Sequence, residues 1–211
     1  MAIPKIRAAG GGERAQYLLR HHNDNTIRFV LHYPGPVDPD VMRKAAKAVV
    51  ESVDVLHGTF FSDGTFAYWS INEDVGETNY FHYVETAGDP ARTAASLSVL
   101  PVYPEDKVQM HVTLVRSEEK SSIVIRQSHL VVDGGDGKYL TGKLVEAYNR
   151  ILASGNADGL SVKDGSRAPE KVYEKLGLSD MKELLSNPLS SVETAYPYPT
   201  TEAGIDRKSV V

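Results

Sequence analysis

Apolar and polar positions alternate along Thr26–Tyr33: Ile27, Phe29 and Leu31 fall on one side, Arg28, Val30 and His32 on the other, which predicts a β-strand. Pro34–Gly35–Pro36 ends the run. The period then changes. Val41, Met42, Ala45, Ala46, Val49, Val50 and Val53 recur at helical spacing, while Arg43, Lys44, Lys47 and Glu51 fall largely elsewhere. Asp38–Pro39 supplies an N-cap followed by proline at the first helical position. Gly58–Phe61 and Phe66–Ile71 flank Ser62–Asp63–Gly64–Thr65 and predict a hairpin, with Trp69, the sole tryptophan, as its core anchor. Asn79–Val84 predicts a short strand, and Asp89–Pro90 opens a helix reaching Val99. Val108, Met110, Val112 and Leu114 alternate with Gln109, His111 and Thr113, as in a strand with one buried face. Ser122–Leu130 follows the polar turn Glu118–Ser121, so residues 107–130 predict an antiparallel hairpin. A helix over Lys138–Leu152 carries Leu140, Leu144, Tyr148, Ile151 and Leu152 on one face, and Ser154–Gly155–Asn156 stops it.

The two ends of the chain carry less pattern. Residues 1–12 read as a leading segment closing on Gly10–Gly11–Gly12, followed by a short helix over Glu13–Arg20. Beyond residue 155, Gly, Ser, Asp and Pro dominate; one helix is expected at Ser179–Leu185, and Asn187–Thr201 is expected to be extended or irregular. The expected organisation is a lobe over residues 1–155 and a linker or docking tail over 156–211.

Composition narrows the possible functions. With 211 residues the chain is long enough for a well-buried core. A net charge of −5 with no Lys/Arg run argues against a nucleic-acid track. The absence of cysteine excludes disulfides, thiolate metal sites and a cysteine nucleophile, and fits a cytoplasmic location. No stretch reaches the roughly 18 apolar residues of a membrane span.

The chemistry concentrates at Arg126–Gly137. An apolar run reaches His129, breaks at Asp133–Gly134–Gly135–Asp136–Gly137, and leads into the last confident helix. Imidazole, with an ordinary pKa of about 6.5, suits proton acceptance at neutral pH when a rigid turn holds it. The competing reading is a structural histidine bonded to backbone. Asp133 can pin the turn by pairing with an arginine or by capping the helix. Two other patterns are set aside. His21–His22 are sequence neighbours that point apart and so make a poor metal pair. Gly137–Lys143 matches GxxxxGK, but Leu144 stands where a phosphate loop needs Ser or Thr.

His129–Leu130–Val131–Val132–Asp133–Gly134 resembles the HxxxDG signature of the acyltransferase superfamily that includes chloramphenicol acetyltransferase, plant BAHD acyltransferases and nonribosomal condensation domains. Val37–Asp40 through Leu56–His57–Gly58–Thr59–Phe60 is similar to the condensation-domain helix and its following strand, and the order of elements fits over residues 10–155. The resemblance implies an α+β two-layer sandwich lobe, with a mixed, mostly antiparallel sheet and helices on one face. It implies transfer of an acyl group from acyl-CoA or a phosphopantetheine-linked thioester to an alcohol or amine, with no metal and no tightly bound cofactor. His129 takes the role of general base. Asp133 and Gly134 are the structural motif residues, with Ser128, Gly135 and Arg126 as possible loop support and Arg126 one candidate arginine for Asp133. Two departures stand out. Ser128 replaces the second histidine usual in condensation domains, and the later DFGWG motif is absent. With the histidine at position 129, the expectation is the first half of a two-lobe protein, its second wall supplied by another lobe or by a homo-oligomer, and a carrier protein as a partner. The alternative is a non-catalytic module that docks a carrier protein or partner lobe.

Overall fold

A computed structural model describes residues 5–76 and 78–163. The helix expected at Ser179–Leu185 and the extended run at Asn187–Thr201 lie outside them. The elements are β1 (Lys5–Ala8), α1 (Gly11–Leu19), β2 (Thr26–Tyr33), α2 (Pro39–Glu51), a single 3-10 turn (Asp54–His57), β3 (Gly58–Ser62), β4 (Ala67–Ile71), β5 (Phe81–Glu85), α3 (Pro90–Ser98), β6 (Met110–Arg116), β7 (Ser121–Ser128) and α4 (Gly134–Ser154).

Two sheets form. One has the order β1-β4-β3 and is antiparallel throughout; the other has the order β2-β7-β6-β5, antiparallel except for the parallel β5–β6 pair. The expected hairpins β3–β4 and β6–β7 are both present. Helix α2 starts where the cap signal placed it: Asp38 Oδ1 accepts from the Asp40 and Val41 amides. Its Met42, Ala45, Ala46, Val49 and Val50 are buried in one core with Leu140, Leu144, Ala147 and Ile151 of α4, the inner face of β6–β7, and Phe60, Trp69 and Ile71 of the smaller sheet.

The structure adds or shifts four features. β1 was not expected; it pairs with β4 along Lys5↔Ile71 to Ala8↔Tyr68. Strands β6 and β7 are buried on both faces rather than one, because α3 covers the side away from α2 and α4. There Ala94 meets Val115 and Val124 in a separate small cluster, so helices lie on both faces of the four-stranded sheet. Strand β7 ends at Ser128, not Leu130. Finally, the glycine-rich stretch after His129 is not a loop before a helix at 138: it forms the first turn of α4, which starts at Gly134. Among the described residues no helix is long and apolar enough to cross a membrane.

Candidate functional site

His129 sits in a tight turn between β7 and α4. Three consecutive apolar residues fix that turn: Leu130, Val131 and Val132 are 1%, 1% and 4% exposed. The amides of Val131 and Val132 donate to the Ser128 carbonyl at 3.0 and 3.2 Å, and the Leu130 amide donates to Ser128 Oγ at 3.3 Å. Ser128 is thus a turn-former, fully buried. His129 itself is tied to the neighbouring β2 end through its backbone, its N–H donating to the Asn25 carbonyl at 2.8 Å. The ring is half-buried and, among the described residues, makes no hydrogen bond. The residue is held by its main chain and lines a cleft.

The cleft has a volume of about 320 Å³. The motif turn forms one side, with His129, Asp133 and Asp136 in the lining; the start of α1 forms the other, with Gly10, Gly12, Glu13 and Gln16. Asp133 and Asp136 close a capping box on α4. Asp133 Oδ1 accepts from the Asp136 amide at 2.8 Å, and Asp136 Oδ2 accepts from the Asp133 amide at 3.4 Å. Each carboxylate satisfies an orphan amide of the first turn and lies where the helix dipole favours negative charge.

The remaining predicted residues are placed as follows. A Cβ on Gly134 would meet nothing within 4 Å, and one on Gly135 would approach only Asp133 Oδ1, at 3.2 Å. The crowded glycine is Gly137, where a Cβ would lie 2.7 Å from both Gln127 Oε1 and the Phe29 ring. Arg126 is 6% exposed and turns to the opposite side of the sheet. Its guanidinium donates to the Leu100 and Pro101 carbonyls at 3.2 and 3.3 Å, and no ion pair joins it to Asp133 among the described residues. Burial, and then the neighbouring Arg28 charge, lowers its pKa. Arg28, Arg126 and His111 lie side by side across β2, β7 and β6. The Arg28–Arg126 like-charge pair is tolerated because carbonyls of residues 98–101 and the Asp24 carboxylate, 2.6 Å from Arg28, face it. Sequence reasoning missed Glu13 and Asp136 as lining residues. The G-x-x-E spacing from Gly10 and the D-x-x-D spacing from Asp133 were the available signals. Among the described residues no group of three or more His, Asp or Glu side chains is placed to hold a metal ion.

A helix pair over an antiparallel hairpin, with a histidine turn leading straight into a capped helix, is the fold expected from the likeness to a condensation-domain lobe. Solved structures bear this out. Polyketide synthase associated protein 5 from Mycobacterium tuberculosis superposes with a TM-score of 0.64 at 15% identity, over 88% of this chain and 44% of its own. The first condensation domain of the calcium-dependent antibiotic synthetase, in complex with a substrate analogue, gives 0.65 at 17% identity over 82% and 44%. The starter condensation domain of rhizomide synthetase gives 0.62 at 15% over 86% and 46%. The chain therefore spans less than half the length of each of these proteins. No family model matches the sequence, and no curated protein is similar to it.

Proposed function

We propose that this chain is the histidine-bearing half of an acyl-transfer or condensation-type module, in which His129 acts as general base on an acceptor that attacks a thioester. One observation carries the reading: His129 lines a cleft, fixed by its backbone and by three buried neighbours, while its ring makes no hydrogen bond among the described residues. In the proposed step the neutral imidazole accepts the proton of an acceptor O–H or N–H as that atom bonds to the thioester carbonyl carbon. The tetrahedral intermediate then expels the thiolate, which recovers the proton from the imidazolium, so no metal or redox partner is required. Asp133 holds the turn by capping α4, and Ser128 holds it from the other end. The donor is an acyl-CoA or a phosphopantetheine-bound acyl group, carrier proteins are the natural partners, and a second lobe or second copy closes the cleft.

The test is His129→Ala in the complete assembly, assayed by thiol release from an acyl thioester. Loss of a general base predicts a fall of about 10²–10⁴-fold; unchanged turnover overturns the assignment. The second reading, a non-catalytic docking module that grips a carrier protein or partner lobe, would need only the fold shared with these neighbours. Saturable binding of CoA or a carrier protein with no thioester turnover in any assembly would decide for it.

A further inference from the structure

Facing His129, the cleft is walled by the start of α1, with Gly10, Gly12, Glu13 and Gln16. A Cβ on Gly11 or Gly12 would meet nothing within 4 Å, so packing within this chain does not ask for glycine at either place. What the glycines do is leave the main chain of the first turn of α1 uncovered along the cleft. Asn25, donating to the Gln16 carbonyl at 2.7 Å, and Arg14, donating to the Thr65 carbonyl at 3.2 Å, hold the rest of α1, while Glu13 ties the glycine end of that wall to the core. Glu13 is 6% exposed; its Oε2 accepts from the Gly10 amide and its Oε1 from Trp69 Nε1–H at 3.0 Å. Trp69 is fully buried on β4 and meets Phe60 edge-on at 4.9 Å, so the anchor at the far end is rigid. A buried carboxylate is tolerated only when N–H donors satisfy it. Here the Gly10 amide and Trp69 Nε1–H come from the two things to be joined, the cleft wall and the core.

We propose that Glu13 is a positioning residue of the His129 cleft: its carboxylate ties the Gly10–Gly12 wall to Trp69 and so fixes the gap that an acyl thioester enters. This rests on the acyl-transfer reading of the cleft, and it concerns binding rather than the chemical step. Glu13→Ala cuts the tie between the glycine end of the wall and Trp69 and contacts neither His129 nor its turn. Glu13→Gln keeps an oxygen for Trp69 Nε1–H. Trp69→Phe keeps a buried ring and removes only the N–H.

The experiment measures the Kd of S-butyryl-pantetheine by calorimetry on the full chain, and KM and kcat for the same probe in the complete assembly. Loss of a hydrogen bond to a buried charge predicts that Glu13→Ala raises Kd and KM about tenfold with kcat within about twofold. Glu13→Gln should recover most of the affinity, and Trp69→Phe should weaken binding in the same direction. Because both changes cut one link, the Glu13→Ala/Trp69→Phe double variant should bind no more weakly than Glu13→Ala alone. A role in stability alone would lower the melting temperature without this split between KM and kcat. Should Glu13→Ala fail to fold, Glu13→Gln and Trp69→Phe decide: unchanged Kd in Trp69→Phe overturns the proposal. So do a wild-type Kd in Glu13→Ala, additive effects in the double variant, or a wild-type chain that does not bind the probe. Calorimetry needs no turnover, so a His129→Ala protein that still turns over refutes the base and leaves this proposal standing on its own result.

Discussion

Replacing Gly137 by alanine puts a new carbon 2.7 Å from Gln127 Oε1, 2.7 Å from Phe29 Cε2 and 3.1 Å from Phe29 Cζ. Carbon contacts relax to about 3.5–4.0 Å, so something must move by about 1 Å. Gln127 is fully buried, its amide against the Met110 sulfur at 3.7 Å, and Phe29 packs against the main core, so neither retreats easily. Overpacking of this kind costs about 1–3 kcal/mol, set against a gain of ~1 kcal/mol from replacing a helical glycine by alanine. Gly142 provides the internal control. It lies in the same helix and a Cβ there meets nothing within 4 Å, so Gly142→Ala shows the propensity gain alone. The difference between the two variants isolates the steric cost, about 1–3 kcal/mol, or roughly 3 °C in melting temperature per kcal/mol for a chain of this size. Urea and thermal melts of both proteins measure it. Equal stabilities would mean that α4 does not sit on β7 and β2 as closely as described, and the placement of the His129 turn would fall with it.

Other outcomes follow from the same geometry. Asp133→Ala should lose about 1 kcal/mol through the vacated N-cap, with Asp133→Ser restoring most of it; a requirement for the negative charge itself would instead make serine as poor as alanine. Leu144→Ala, at a fully buried position between α4 and the core, should cost about 2–5 kcal/mol in chemical denaturation. The His82 imidazole, partly desolvated against the sheet and next to His111 and Arg126, has its pKa held below its ordinary 6.5. The unfolded chain therefore takes up this proton first. The corresponding stability is complete above pH 6.5 and is lost as pH falls below it, so His82→Gln should flatten the decline of melting temperature on the acid side. Parallel curves for variant and wild type would sink that account.

What could be seen in the sequence was what depends on near neighbours. The Asp38–Pro39 cap and the two hairpins are local signals, and each appears in the structure; of the expected stripe on α4, Leu140, Leu144 and Ile151 are buried, while Leu152 faces solvent and Ala147 takes a place in the core. β1 was invisible because it is a four-residue edge strand with little burial, defined only by its pairing to β4 far along the chain. The parallel partner of β5 is likewise a matter of tertiary placement. The start of α4 was misplaced by four residues because glycine is a poor helix former; the capping box between Asp133 and Asp136 outweighs that preference. In the site, the motif named His129 and its turn, but the opposing wall depends on Glu13 meeting Trp69, a contact no local pattern records.

The link between the Asn25 carbonyl and the His129 amide has a kinetic meaning. It continues the β2–β7 ladder, whose last pair is Thr26↔Ser128. These strands lie roughly a hundred residues apart, so their pairing closes one of the longest loops in the lobe, and such closures carry a large entropic cost and form slowly. The hairpins β3–β4 and β6–β7 and the helices can form before it; the orientation of His129 cannot. The histidine is therefore aligned only once β2 has paired with β7, and reactivity at position 129 would report the completed topology rather than the presence of its parts.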